Sequence, residues 1–506
     1  MSAIRRNIVS NLLGGLWITA LTLVITPLQV NLLGIEAYGL IGFIATLQIV
    51  FTMFDLGLSS TVTRQIASDR SPGHRDSSDL LRTATTIYWG FAVIVGASLA
   101  ALSGFIAGHW FKTYALSSAD VEHGLYAITL FLAARWPVAL YSGVLSGLQR
   151  MDVLNIVKTA TSSLRLIGGI CVLLMWPDLT LFLWWTAANA VVEVFAYIVV
   201  CRRTSALVSR HFGFSLSALK AVWGFSLSVS AISILALLIS QFDRLMLSKM
   251  LSLNDLGYYT LAYNTASAIS LVISAISSAM LPSFAAAHSQ GVPGVLGRRY
   301  EQANRVLLFI IGLAVFPLVF FGDVVLTAWV GPAASAGASR SLALLAIGFW
   351  FSGALSNAYS LAVATGNPGL PLKLSALSAL PYACGLYLLV LTHGIDGAAL
   401  AWMLLNAAYI VILVPAVHRR LLSTTTRQWL LQAALPFAVL GVTAFALPRL
   451  AANHLGGTSA AGMLIALVVG IVAYGVAGYR LLGPNIQAEL AALAGFKGKR
   501  ATPLHS

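Results

Sequence analysis

Long apolar runs recur along the whole chain, and they constrain the fold more than any other feature of its 506 residues. Many of these runs reach about 18 residues or more, which is close to the length that an α-helix needs to cross the hydrocarbon core of a membrane. Charged residues make up only 9% of the chain, against about 25% in a soluble domain. We therefore predict an all-α polytopic membrane protein.

The apolar runs predict fourteen membrane spans with approximate ends. The connections between them are too short to hold a soluble domain. In chain order, the predicted spans are about 9–33, 39–62, 83–107, 123–146, 153–175, 180–201, 222–242, 256–282, 304–322, 341–364, 371–392, 397–417, 429–447 and 459–480.

The basic residues are divided unequally between the two sides of these spans. Of the 30 Lys and Arg residues, 23 fall on the side of the two termini and five on the other side, while Arg135 and Arg165 lie within spans. By the positive-inside rule, we expect both termini in the cytoplasm. Although the net charge is +14, the basic residues occupy short connections between spans, so we expect no nucleic-acid partner.

A shift of about 218 residues brings polar and turn residues of the two halves of the chain into register. We predict a six-helix lobe over 1–212, a second over 213–420, and two extra helices with a cytoplasmic tail over 421–506. Because each lobe holds an even number of spans, the copies form a parallel repeat, which in transporters places the substrate between lobes that rock for alternating access. The alternative is a duplicated scaffold kept for packing. The matched pairs include Gly39 with Gly257, Tyr141-Ser142 with Tyr359-Ser360, Asp178 with Asp396, and Trp184 with Trp402.

Six motifs, spread over the first twelve predicted spans, resemble those of one transporter family. They are LLGIEAYGLIGF (32–43), FDLGLSSTVTR (54–64), SGLQRMD (146–152), QFDRLMLSKMLSLNDLGYYTLAYN (241–264), LPSFAAAHS (281–289) and HGIDGAALAW (393–402). In content and order they resemble the polysaccharide-exporter branch, the O-antigen flippase type, of the multidrug/oligosaccharidyl-lipid/polysaccharide (MOP) flippase superfamily.

This resemblance implies a substrate and a location. It implies that the chain moves polyprenyl-diphosphate-linked oligosaccharide from the cytoplasmic to the periplasmic leaflet of the bacterial inner membrane, for surface polysaccharide biosynthesis. The two extra helices are similar to those of the lipid II flippase type, in which they form a groove for the lipid tail. Polysaccharide polymerase and assembly proteins are candidate partners.

The sequence contains no motif for energy-yielding or hydrolytic chemistry. It has no Walker A motif, no HExxH and no nucleophile elbow, and its three cysteines show no metal-binding spacing. We therefore predict a secondary transporter that is not an enzyme, with no cofactor and no metal site. Transport must then draw on a gradient, with H⁺ or Na⁺ as the candidate coupling ion.

Two arginines lie near the middle of predicted spans 4 and 5, where a charge costs about 2.5–3.5 kcal/mol on insertion scales. Arg135 and Arg165 offer bidentate donation and stay charged when desolvated, so we predict that they bind the substrate diphosphate. The alternative is that one or both form a structural ion pair with Glu193. Lys158, one to two turns nearer the cytoplasm, is either an entry contact for the diphosphate or a residue that snorkels to the headgroups.

The acidic residues of the spans are candidates for coupling and gating. Glu193 is the partner of an arginine, a carrier of a proton or Na⁺, or both in turn. Asp55 lies toward the cytoplasmic end of span 2, and Asp243 and Arg244 lie at the external end of span 7. We interpret these three residues as members of capping or gate ion pairs.

The charges of the first lobe have no counterpart in the second. The 218-residue shift matches Arg135, Arg165 and Glu193 with Gly353, Ala383 and Val411. We therefore expect the first lobe to hold an anionic headgroup and the second to form an apolar wall.

Three rival functions remain open. A cation-coupled multidrug exporter of the same superfamily would need acidic residues in its cavity to bind cationic drugs. A peptidoglycan-precursor flippase would bind a diphosphate in the same way and would differ in the sugar that it moves. A scaffold that recruits polymerase partners without transport would have no reason to carry charges at mid-membrane depth.

Overall fold

The regular structure of the chain is helical, as shown by a computed structural model. Within the described residues the exception is one isolated β-bridge, between Lys112 and Ser252. The predicted all-α fold is therefore confirmed. The described residues are 3–68, 78–205, 212–292, 294–422, 426–454 and 459–493.

The α-helices are numbered here in chain order. A 3₁₀ turn at Thr52–Asp55 separates α2 from α3, and a π-helical turn at Leu430–Ala434 separates α14 from α15. The helices are α1 (Ala3–Leu33), α2 (Ile35–Phe51), α3 (Leu58–Ser68), α4 (Ser78–His109), α5 (Ser118–Gly147), α6 (Met151–Met175), α7 (Leu179–Thr204), α8 (Leu216–Met250), α9 (Leu253–Ser267), α10 (Ile269–Gln290), α11 (Val295–Trp329), α12 (Pro332–Ala364), α13 (Gly369–Leu421), α14 (Thr426–Trp429), α15 (Leu435–His454), α16 (Ala460–Leu481) and α17 (Pro484–Leu493).

These helices follow the fourteen predicted spans in order. Twelve of the described segments are long and apolar enough to cross a membrane. One of them, α13, bends at Gly394, where φ is 56° and ψ is −132°, into two arms that match predicted spans 11 and 12. The 35-residue helix α8 contains the uncharged stretch 221–242 and matches predicted span 7. The chain is therefore a multi-pass membrane protein.

The helices form two compact units, residues 1–260 and 261–506. In the first unit, α5 packs against α3, α4 and α7, while α6 contacts α1 and α7. A capping box starts α5, because the Ser117 side chain accepts from the backbone N–H of Asp120 and the Asp120 carboxylate accepts from that of Ser117. The buried apolar core shared by α3, α4, α5 and α7 includes Val62, Leu81, Leu140, Val144 and Val194.

In the second unit, α12 packs against α10, α11 and α13, and the C-terminal helices α15 and α16 pack on each other and on α11. Gly312 of α11 leaves room for Tyr474 of α16, whose hydroxyl donates to the carbonyl oxygen of Leu308 at 3.3 Å. Arg449 of α15 forms an ion pair with Asp323 of α11 at 2.6 Å. These contacts attach the last two spans to the second unit.

Two glycines matched by the 218-residue shift lie in direct contact in the first unit. A Cβ on Gly39 of α2 would meet the carbonyl oxygen of Leu253 at 2.1 Å, and a Cβ on Gly257 of α9 would meet that of Ile35 at 2.1 Å. Ile35 and Leu253 are related by the same shift, so exchanging the repeats exchanges the two approaches. Glycine is required here because it lets helix backbones approach this closely. The division into lobes at 1–212, 213–420 and 421–506 stays a prediction.

Candidate functional site

A cavity of about 450 Å³ lies within the first unit, among α2 to α7. Its wall combines ionised, hydroxyl and aromatic side chains at a depth where the surrounding helices are apolar. Pockets of roughly 300–1,000 Å³ are of the size that holds a small ligand. The lining residues are Gln48, Phe51, Thr52, Asp55, Ser59, Tyr88, Leu132, Arg135, Trp136, Val138, Ala139, Ser142, Ser146, Leu154, Lys158, Glu193 and Tyr197.

Arg135 and Glu193 form an ion pair across the cavity wall. Nη2 of Arg135 on α5 lies 3.4 Å from Oε1 of Glu193 on α7, and the two side chains are 22% and 6% exposed. The distance is longer than the 2.7–2.9 Å of a strong charge-assisted hydrogen bond. The Arg135 guanidinium also lies 5.6 Å from the ring centre of Phe131. The pair therefore keeps Arg135 at the cavity while leaving guanidinium donors open to a ligand.

Lys158 of α6 supplies the second cation of the cavity wall. Its side chain is exposed, and among the described contacts its ammonium group has no hydrogen bond and no ion pair. An ammonium is a compact point charge on a flexible stem. Lys158 can therefore reach an anion at several positions in the cavity.

Arg165 is not among the residues that line this cavity, although the segment around it is fully described. It lies two turns beyond Lys158 on the same helix, within electrostatic range of Arg135 and Glu193. Trp185 of α7 donates its indole N–H to the Arg165 carbonyl oxygen at 3.1 Å. The structure therefore brings Arg135 and Lys158 together at the cavity and places Arg165 beyond its edge.

Asp55 lies where predicted span 2 is broken. Leu56 and Gly57 have φ of 46° and 69°, so the chain turns through the left-handed region between the 3₁₀ turn and α3. One carboxylate oxygen accepts from the Ser59 hydroxyl at 2.7 Å, and the other accepts from the Tyr88 hydroxyl. Backbone N–H groups of Gly57 and Ser59 also donate to this carboxylate. Asp55 therefore caps the first turn of α3 and faces the cavity at the same time.

An aromatic cluster forms one wall of the cavity around Trp136 of α5. Its ring centre lies 4.5 Å from that of Phe91, 6.2 Å from that of Tyr88 and 6.4 Å from those of Phe51 and Phe54. Tyr88 carries no sequence signal that separates it from packing aromatics. Its role at Asp55 emerges from the fold alone.

Asp243 and Arg244 lie on α8, away from this cavity. Asp243 is 1% exposed; it accepts from the Tyr259 hydroxyl at 2.5 Å and from the Arg244 backbone N–H at 2.8 Å. Near the end of the same helix, Lys249 donates to the carbonyl oxygen of His109 at 2.7 Å. These contacts join α8 to α9 and to the end of α4, so the Asp243–Arg244 pair belongs to a helix junction rather than to the charged cavity.

The described residues contain no group of three or more His, Cys, Asp or Glu side chains arranged to hold a metal ion.

Comparison with known proteins identifies the family. A family model described as "Polysaccharide biosynthesis protein" matches residues 4–288, which is more than half of the chain. The chain belongs to this family. The matched region contains the whole of the charged cavity.

The relatives and solved structures that match this chain carry the names of transporters and flippases. A Shigella flexneri protein named as a candidate O-antigen transporter is 23% identical over 381 residues, covering 73% of this chain and 87% of that protein. Among solved structures, the lipid II flippase MurJ in an inward-closed conformation matches with a TM-score of 0.72 at 13% identity, covering 95% of this chain and 98% of that one. An inward-facing MATE-family multidrug transporter matches with a TM-score of 0.60 at 15% identity, covering 82% and 96%. The fold of the chain is therefore similar to those of a lipid II flippase and of a multidrug transporter of the MOP superfamily.

Proposed function

We propose that this protein moves a polyprenyl-diphosphate-linked oligosaccharide from the cytoplasmic to the periplasmic leaflet of the bacterial inner membrane, for surface polysaccharide assembly. In this proposal both termini face the cytoplasm and transport proceeds by gradient-driven alternating access. The observation that carries it is the cavity of the first unit, where Arg135 and Lys158 face a common space within the membrane-spanning helices.

The charges of this cavity suit a diphosphate. Arg135 and Glu193 neutralise each other in part, and Asp55 is held by hydroxyl and backbone donors. Lys158 has no carboxylate partner among the described contacts, and Arg165 adds a positive field from beyond the cavity edge. Two phosphate groups entering this space would find one forked donor at Arg135 and one mobile donor at Lys158.

Glu193 provides a route for coupling. A phosphate that takes the donors of Arg135 displaces Glu193 from its ion pair, and on the periplasmic side Glu193 competes again for Arg135 and promotes release of the diphosphate. A proton or Na⁺ from the periplasm then binds Glu193 in the empty cavity and leaves on the cytoplasmic side before the next diphosphate binds, so cation entry drives the return step. The membrane potential assists this export, because moving an anion out of a negative interior is favourable by about 2.3 kcal/mol per charge per 100 mV.

The test is transport by purified protein in vesicles that contain a polyprenyl-diphosphate oligosaccharide. We expect Arg135→Ala and Lys158→Ala each to slow transport by about tenfold or more, since each removes a charge-assisted contact worth roughly 1.5–3 kcal/mol. Arg150→Ala is the matched control, because Arg150 is an exposed arginine paired with Asp152 at 3.3 Å and does not line the cavity.

Normal transport by both alanine variants would overturn the proposed diphosphate site. The same vesicles separate the rival functions. A multidrug exporter would move an organic cation and ignore the lipid-linked oligosaccharide, and a peptidoglycan-precursor flippase would move the lipid-linked muropeptide in its place.

A further inference from the structure

A second cavity, of about 490 Å³, lies in the second unit between α10 and α12. Among the described residues its wall is formed by seven serines, one tyrosine and four aliphatic residues, and none of these side chains is charged. These lining residues are Ser270, Ile273, Ser274, Ser277, Ser278, Leu281, Ser352, Leu355, Ser356, Tyr359, Ser360 and Val363.

Several of these hydroxyl groups are left without a partner. Ser277 donates to Ser356 at 3.0 Å and so joins α10 to α12. In contrast, four serines of the wall make no hydrogen bond among the described residues, and one of them, Ser360, is only 7% exposed. Ser274 and Ser278 are exposed and Ser352 is half-buried, so these hydroxyl groups are open to donors and acceptors that enter the cavity. The four are Ser274, Ser278, Ser352 and Ser360.

This hydroxyl-lined cavity occupies the repeat position of the charged cavity. The 218-residue shift matches five lining residues of the first cavity with five of the second. It matches Asp55 with Ile273 and Arg135 with Gly353, so the ionised groups are lost while the cavity is kept. Three of the five pairs keep a hydroxyl in both cavities: Thr52 with Ser270, Ser59 with Ser277, and Ser142 with Ser360. The other two are Asp55 with Ile273 and Val138 with Ser356.

We propose that the cavity between α10 and α12 binds neutral sugar residues of the lipid-linked oligosaccharide. A pyranose carries several hydroxyl groups, each both donor and acceptor, and serine hydroxyls match both roles. Tyr359, which is 51% exposed, offers an aromatic face to the C–H side of a sugar ring. The described wall offers no cation to bind a diphosphate and no carboxylate to bind an organic cation. Neither ligand is therefore expected in this cavity. This inference rests on the proposed function, since it assigns the glycan part of the same substrate.

The experiment measures binding of two probes to the full-length protein in lipid nanodiscs. One probe is bare polyprenyl diphosphate, and the other is polyprenyl diphosphate that carries a neutral trisaccharide. We expect the unmodified protein to bind the trisaccharide probe about tenfold more tightly than the bare probe, as two or three added hydrogen bonds would provide. The double variant Ser278→Ala with Ser360→Ala should lose this preference and keep its affinity for the bare probe.

Two further variants separate the hydroxyl contact from packing. Ser278→Thr keeps the hydroxyl at an exposed position and should keep the preference for the trisaccharide probe. Ser289→Ala removes a serine from the exposed end of α10, outside the cavity, and should change neither affinity. The proposal would be overturned if Ser278→Thr or Ser289→Ala lowered the preference for the trisaccharide probe as much as the double alanine variant does.

The other outcomes separate this inference from the proposed function. Equal affinity of the unmodified protein for the two probes, or a preference that survives the double serine variant, overturns the sugar site. Arg135→Ala reports on the diphosphate site through the bare probe alone. If that variant binds the bare probe normally, the proposed diphosphate site fails, whatever the serine variants show.

Discussion

At the scale of single residues, the charged cavity depends on how its groups are paired. The sequence marks Arg135, Lys158, Glu193 and Asp55 because charges in apolar spans are costly, and all four line one cavity. It also marks Arg165, which does not line it. Lys158 and Arg165 are seven residues apart and lie on nearly the same helix face, but about 10 Å apart along the axis. The depth at which the cavity ends is set by packing between helices, so no pattern within one span could have separated the two.

Glu193→Gln tests the pairing with Arg135. The change removes the carboxylate charge and leaves the guanidinium unopposed, so polyprenyl diphosphate should bind about tenfold more tightly and be released more slowly. Transport in vesicles should slow and lose its dependence on an imposed proton or sodium gradient. Unchanged transport with an unchanged gradient dependence would remove Glu193 from any coupling role.

Tyr88→Phe tests the bond to Asp55. A hydrogen bond to a charged group contributes roughly 1.5–3 kcal/mol, so loss of the Tyr88 hydroxyl should lower the apparent unfolding temperature of the detergent-solubilised protein. Tyr126→Phe is the matched control, because its hydroxyl donates to Glu122 at 3.0 Å at an exposed site. If both variants unfold at the same temperature, the Asp55 contact contributes no stability.

At the scale of helices, the sequence predicts the spans better than the breaks within them. Apolar windows locate fourteen spans because length and hydropathy decide whether a helix crosses a membrane. The left-handed turn at Leu56 and Gly57 escapes such windows, because leucine rarely adopts a positive φ and its hydropathy fits a continuous span. The break nevertheless directs Asp55 into the cavity. The sequence matches Gly39 with Gly257 as a repeat pair. It does not show that these glycines contact the backbone of Leu253 and Ile35.

Gly39→Ala and Gly257→Ala should both be strongly destabilising. Each added Cβ would lie 2.1 Å from a backbone oxygen of the facing helix, and overpacking of this kind costs about 1–3 kcal/mol or more. We expect lower apparent unfolding temperatures or loss of expression for both. Gly90→Ala on α4 serves as the control, since nothing lies within 4 Å of its added Cβ; equal behaviour of all three variants would contradict the contact.

At the scale of the whole molecule, the missing charges of the second half lead us to predict an apolar wall there, and the serines of that wall were not part of the prediction. In the structure, aliphatic and serine side chains together line a cavity in the second unit. The serines were visible in the sequence, but whether a serine faces a cavity or a neighbouring backbone depends on how α10 and α12 pack. Helix packing therefore decides which polar groups are available to a ligand.

The orientation of the whole chain is testable by cysteine labelling. In a variant that lacks the three native cysteines, Tyr114→Cys should react with a membrane-impermeant maleimide in intact spheroplasts, because Tyr114 is 81% exposed in the predicted external connection. Arg203→Cys should react only after lysis. The reverse pattern would place both termini outside the cytoplasm.

The glycine contact also bears on how such a chain arises. Gly39 meets Leu253, and Gly257 meets Ile35, in a relation unchanged when the repeats are exchanged. This is the contact that two identical chains would make across a twofold axis, where the same patch faces itself. The predicted repeat therefore implies a half-length ancestor with a self-complementary surface. In a fused chain, one half can carry charges at positions where the other carries hydroxyls, a division of labour that a homodimer cannot have.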